Sequence, residues 1–380
     1  MMRAIALALL LAAPLRAQTA PPVTAPAAPP AFPPNAEADR YAPLDPVPGC
    51  GERALPAASA PRLPDAAFAA MRAYHDSQKG LGLLVMVDGK VERELYAPGM
   101  GAATRTATAS MHKSVLALLT GIAIQRRLMP GEDQPLSAFL PVAGDKGAVP
   151  LRAFLTMSSG MRNYRFAEPE SRRIALGPGI SDVALAAPME KPFDSEFKYN
   201  NANSQILGEA LSAAVAKRGM TYAQALSTML WCPLGNAPAT LWVEAPGKPR
   251  FYAGLNANLR DWARIGEMIR QQGKVGRRQV VPAAWLAKMT APSKASANYG
   301  YQMWRGSPYV AVRRYSPESP TTVAQSAPYR ADDVLYFDGF GGQRVYIVPS
   351  AKLVIARTGE TSMSWDDAVL VNLALDGLKR

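Results

Sequence analysis

The sequence predicts a mixed fold of the α/β (α+β) class, an antiparallel sheet flanked by helices with an all-helical domain inserted in its middle. Two observations support this. Strand-like segments gather toward the two ends of the 380-residue chain, and long helical segments fill the stretch between them. A sheet assembled from both ends leaves a cleft against the inserted helices, the natural place for a small-molecule site.

Residues 64–78 (PDAAFAAMRAYHDSQ) open with proline and space their apolar side chains for an amphipathic helix. Segments 83–87 and 91–96, joined by Asp88-Gly89, read as a hairpin with a tight turn. Helices are expected over 114–126, 151–157, 202–217, 222–231 and 258–272. Strands return at 299–305, 334–337, 345–348 and 353–358, and a last helix covers 365–378. No period repeats, which excludes solenoids and propellers.

The first residues, MMRAIALALLLAAPLRA, have the basic start, short apolar stretch and small-residue end of a secretory signal, expected over 1–17. Residues 18–63 are crowded with proline and alanine and read as an extended tether. The sheet domain is expected to combine 64–109 with 250–380, and the helical domain to occupy 110–249. No later apolar run has transmembrane length, so the expectation is a secreted, periplasmic protein without a transmembrane anchor after signal cleavage.

The formal charge of +12 comes from basic residues scattered in ones and twos, with no nucleic-acid motif, so nucleic acid is not expected as a partner. In an oxidising compartment Cys50 and Cys232 are disulfide candidates, the alternative being two buried thiols. Two dispersed histidines and two cysteines supply no metal-ligand spacing, so neither a metal nor another cofactor is expected. The same scarcity speaks against a Ser-His-Asp triad.

Ser110-Met111-His112-Lys113 places a hydroxyl one helical turn before an amine, at the start of the apolar run SVLALLTGIAI. Residues three apart on a helix share a face, so Lys113 reaches Ser110. The amine serves as a base only if burial or nearby positive charge lowers its pKa. A second match, Ser195-Glu196-Phe197-Lys198, opens no apolar helix and reads as chance. Tyr199-Asn200-Asn201 precedes a helix; a tyrosine beside a lysine ammonium is expected to hold a stabilised phenolate and shuttle protons, with Asn201 binding substrate or orienting Lys113. Phe337-Asp338-Gly339-Phe340-Gly341-Gly342-Gln343 lies between strands, and its glycines permit the close approach an oxyanion-binding amide needs. The Phe340 amide is the candidate donor. Tyr164 and Trp304 are candidate cleft-lining residues.

The order Ser-x-x-Lys, Tyr-x-Asn, late glycine-bearing strand resembles the serine β-lactamase and penicillin-binding-protein superfamily, in its class C-like branch. Leu155-Thr156-Met157-Ser158-Ser159-Gly160-Met161 and Leu259-Arg260-Asp261-Trp262-Ala263-Arg264-Ile265-Gly266 look like that branch's helix end and later helix. Pro233-Leu234-Gly235, Gly300-Tyr301-Gln302-Met303-Trp304, and Gly341-Gly342-Gln343 followed by Val345-Tyr346-Ile347-Val348-Pro349 look similar to 6-aminohexanoate-dimer hydrolases and related esterases. The resemblance runs from about Phe68 to the C-terminal helix and implies a β-lactamase/transpeptidase-like fold.

It also implies Ser110 as acylated nucleophile, Lys113 as its base, Tyr199 as proton shuttle, Asn201 as support, and the Ser110 and Phe340 amides, beside Gly339, as oxyanion donors. Where penicillin-processing relatives carry Lys-Thr-Gly or His-x-Gly, this chain has Phe337-Asp338-Gly339. An aspartate pointing into the cleft would repel a substrate carboxylate unless Arg330 or Arg344 compensated, which favours small esters or amides as substrates. The alternatives are a β-lactamase or D-alanyl-D-alanine carboxypeptidase and, from another class, a non-catalytic peptidoglycan-binding protein.

Overall fold

A computed structural model describes residues 32–379, apart from Phe166 and Glu318. The signal-like segment and the start of the tether lie outside the described residues.

The main sheet has six strands, in the order Trp304–Arg305, Leu335–Gly339, Gln343–Val348, Leu353–Gly359, Gly80–Val87, Lys90–Tyr96, each antiparallel to the next. The N-terminal hairpin thus joins the C-terminal strands through Gly80–Val87 beside Leu353–Gly359, as the distribution of strand signals predicts. Alternation along the strands divides the core. Leu83, Val85, Tyr336, Tyr346 and Ile355 pack on one face with Met71 of helix Asp65–Ser77 and Leu370 and Ala374 of helix Val369–Leu378. Leu84, Met86, Phe337, Val345 and Val354 pack on the other with Trp262 and Ile265 of helix Leu259–Arg270. That helix lies so close that a Cβ on Gly266 would stand 2.8 Å from Val345 and Val354 side-chain carbons.

A second sheet was not foreseen. Leu44–Val47, Ala239–Ala245, Leu255–Asn258 and Arg105–Ala107 lie side by side in that order, with Lys248–Pro249 paired to Ala239–Ala245. It corrects two boundaries. The expected tether contributes the strand Leu44–Val47, buries Val47 and Leu63, and anchors the Asn35 and Ala36 amides on Glu360 at 2.8 and 2.9 Å. Its prolines misled because Pro46 sits on an edge strand, where a missing N–H is tolerated. The expected all-helical stretch 110–249 includes the strands Ala239–Ala245 and Lys248–Pro249; the alternation in ATLWVEA was the overlooked signal.

The expected strand over 299–305 shrinks to Trp304–Arg305. Gln302 takes a left-handed φ of 52°, and its side chain bonds the Phe154 and Leu155 carbonyls at 3.0 and 2.9 Å, tying this segment to the helical part. The last helix starts at Val369 rather than 365, because the Trp365 indole bonds the Asp367 carboxylate and the Asp367 N–H is taken by the Ala324 carbonyl. Cys50 and Cys232 form a disulfide that ties the N-terminal arm to the end of a π-helical turn, Ser227–Trp231. Among the described residues no helix is long and apolar enough to cross a membrane.

Candidate active site

The second sheet delivers the nucleophile candidate. Strand Arg105–Ala107 leads through Thr108 and Ala109 into helix Met111–Gln125, and Ser110 sits at the helix start without capping it. Ala109 is left-handed, with φ 47°, a conformation that costs a non-glycine residue about 1–2 kcal/mol and is held by its surroundings. The helix behind is buried along nearly its whole length, which fixes the Lys113 stem in the core.

Lys113 Nζ donates to Ser110 Oγ, Asn201 Oδ1 and the Tyr252 carbonyl, each at 2.8 Å. No carboxylate pairs with it among the described hydrogen bonds and ion pairs. Burial pushes its pKa well below the ordinary 10.5, against a weaker opposing pull from Asp338. The amine is therefore poised to take a proton. Asn201 opens helix Asn201–Ala216, whose cap is Asn200, accepting from the Ala202 N–H at 2.9 Å.

The Tyr199 ring lies 4.9 Å from Lys113 Nζ. Here the electrostatics correct the expectation. Burial, reinforced by Asp338, raises the Tyr199 pKa well above 10, outweighing an opposing influence of Ser110, so the group is a neutral phenol rather than a phenolate. Lys113, with its lowered pKa, is placed to accept the serine proton, and the neutral Tyr199 phenol to donate one.

Gly339 ends its strand against the turn before the nucleophile: a Cβ there would lie 2.2 Å from the Thr108 carbonyl oxygen. Only glycine permits that approach. Phe340 follows, with its side chain exposed.

Trp304 does not line a cleft. It is 4% exposed, its ring 5.6 Å from Tyr199 and 4.8 Å from Tyr299, and it backs the tyrosine. Tyr164 packs partly buried on the core under the Arg162 guanidinium; its neighbours Arg162 and Asn163 face a polar recess of about 270 Å³ instead. Ser195 donates to the Pro192 carbonyl, and Lys198 sits 3.1 Å from Glu196, so the second Ser-x-x-Lys pair is not assembled. His112 is turned to the Tyr222 hydroxyl at 2.9 Å and kept neutral by burial, with its pKa lowered to about 3.

Asp338 does not repel from the cleft. It is buried, 2.7 Å from Arg313 and 2.5 Å from Arg344, and both arginines also hold Asp367, at 2.9 and 2.8 Å. Arg344 compensates the aspartate, whereas Arg330 pairs with Asp376. Sequence reasoning missed Tyr252, Tyr315 and Arg313. Tyr315 accepts the Tyr199 N–H at 2.9 Å, stacks on its ring at 5.1 Å and donates to Asp338 at 3.3 Å. None carries a local motif, because a main-chain carbonyl or a ring face leaves no spacing signature.

The beta-lactamase family profile matches residues 65–368, spanning both the sheet and this serine–lysine–tyrosine cluster. The chain belongs to the beta-lactamase family. Relatives within that family are hydrolases. A 6-aminohexanoate-dimer hydrolase of Paenarthrobacter ureafaciens is 26% identical over 231 residues, 56% of this chain and 58% of that protein, so the match spans less than two thirds of its length. A Bacillus anthracis structure described as a candidate 6-aminohexanoate-dimer hydrolase superposes with TM-score 0.73 at 17% identity, over 90% of this chain and 92% of the other. EstCE1, a hydrolase with promiscuous acyltransferase activity, superposes with TM-score 0.61 at 17% identity, over 83% and 97%. The fold is β-lactamase/transpeptidase-like.

Proposed function

We propose that this beta-lactamase-family protein hydrolyses small esters or amides through an acyl-enzyme on Ser110. The observation that carries the reading is the buried Lys113 amine, 2.8 Å from Ser110 Oγ and without a carboxylate partner among the described residues. Lys113 takes the Ser110 proton as Oγ bonds the substrate carbonyl carbon and the carbonyl electron pair moves to its oxygen. The Ser110 and Phe340 amides receive that charge. The pair returns, the bond to the leaving oxygen or nitrogen breaks, and Tyr199 gives that atom its proton, recovering one from Lys113. Water then repeats the sequence on the acyl-enzyme and releases the acid.

The relatives that are 6-aminohexanoate-dimer hydrolases support amides as a substrate class, and the acyltransferase activity of EstCE1 agrees with an acyl-enzyme. The disulfide supports export to an oxidising compartment, in keeping with the signal-like start and a periplasmic location. The test is release of p-nitrophenol from a short-chain ester by the mature protein beside Ser110→Ala. Activity lost in the variant supports the reading; equal activity in both overturns it.

A further inference from the structure

Beyond Gly339 the strand runs into a shallow groove that the proposed proton transfers do not use. Tyr315 and Thr321 stand on one side, on the hairpin formed by Val312–Arg314 and Thr322–Ala324, and Phe340 and Met363 on the other. Phe340 is 44% exposed and Met363 60%, apolar surface that a folded chain seldom leaves open beside a reaction centre without use. The groove opens beside Phe340, whose amide is assigned to the oxyanion hole. Its wall residue Tyr315 stacks on Tyr199, the group assigned to protonate the departing atom.

Charge decides what fits there. Arg344 lines the groove, but its Nη1 lies 2.5 Å from Asp338 and donates to the Gly339 and Gln343 carbonyls at 2.9 and 2.8 Å. Its Nε and Nη2 meet Asp367 at 2.8 Å. Arg313 spans the same two aspartates. Arg314 and Lys79 are exposed and lie outside the lining. A carboxylate entering the groove would lose water and meet a lining arginine, Arg344, already neutralised by the two aspartates behind it.

We infer that this groove receives the leaving-group end of the substrate and selects an uncharged, apolar one, with Phe340 and Met363 as specificity-determining side chains; the inference rests on the proposed acyl-enzyme reading. Substrates whose departing fragment ends in a free carboxylate close to the scissile bond are poor, and neutral esters or amides of similar size are good.

The test holds the acyl group constant and compares p-acetylphenyl acetate with the near-isosteric p-carboxyphenyl acetate, following phenol release by wild type, Ser110→Ala and Met363→Arg. Wild type should prefer the neutral ester by about tenfold or more in kcat/KM, and Met363→Arg should shrink that ratio at least about fivefold by gaining on the carboxylate. Equal rates or a carboxylate preference in wild type, or a ratio unmoved in Met363→Arg, overturns the inference. Absence of phenol release by wild type, or release that survives Ser110→Ala, instead brings down the acyl-enzyme reading beneath it. Met363 is exposed, so its replacement leaves the fold intact, and the ratio within each variant cancels any common loss.

Discussion

Lys113 Nζ and Ser110 Oγ are 2.8 Å apart, with the amine buried and its remaining contacts made by two oxygens, Asn201 Oδ1 and the Tyr252 carbonyl. None of these partners is charged, so their contacts only partly offset the cost of burying an ammonium.

Lys113→Ala should lower kcat by about 10²–10⁴-fold, the usual range for loss of a general base, and Lys113→Arg should not restore it because guanidinium stays protonated. Because the folded-state pKa is depressed, the unfolded chain binds more protons between that value and 10.5. Stability attributable to this group therefore rises with pH across that window, and activity falls in acid as the amine becomes protonated. A pH–rate profile of wild type checks this: an acidic limb lying well below pH 10.5 is expected, whereas activity appearing only near the ordinary lysine pKa would contradict it.

Tyr199→Phe retains the ring that stacks on Tyr315 and Trp304 and removes the hydroxyl alone. With Tyr199 as proton donor, the loss should depend on the leaving group: about a hundredfold or more on an amide, and far less on a p-nitrophenyl ester, whose phenolate departs unaided. Parallel kcat measurements on both substrates decide it.

Gly339→Ala would drive a methyl group toward the Thr108 carbonyl, 2.2 Å away. Displacing main chain rather than a flexible side chain should cost about 1–3 kcal/mol of stability and misplace the Phe340 amide. Thermal unfolding together with kcat is the check, with kcat expected to fall by more than the folded fraction does.

How much of this was legible in sequence follows from what kind of signal each part leaves. The Ser110 to Lys113 spacing and the Asn201 position at a helix start are local, and they could be read directly. The sheet closing N- to C-terminal strands followed from the short apolar runs within 83–87 and 353–358. The phenolate expectation for Tyr199 failed because burial and Asp338, both products of tertiary packing, outweigh what stabilises its charged form. The Asp338 cluster was misread for a related reason: Arg313 and Asp367 approach it from 25 residues before and 29 after. The strand Leu44–Val47 hid in proline-rich composition, and Trp304, chosen for the cleft, serves beneath it.

The Cys50–Cys232 bond joins residues 182 apart. Replacing both cysteines by alanine should lower stability by about 5 kcal/mol in the chain-entropy account, with little effect on kcat of protein that remains folded. Denaturant midpoints of the double variant against wild type test this.

The most direct measurement is covalent labelling by a serine-directed fluorophosphonate, followed by peptide mass analysis. The account predicts a single adduct on the peptide containing Ser110, formed in step with loss of esterase activity and slowed strongly by Lys113→Ala. An adduct on Ser195, or complete inactivation with Ser110 unmodified, would contradict it.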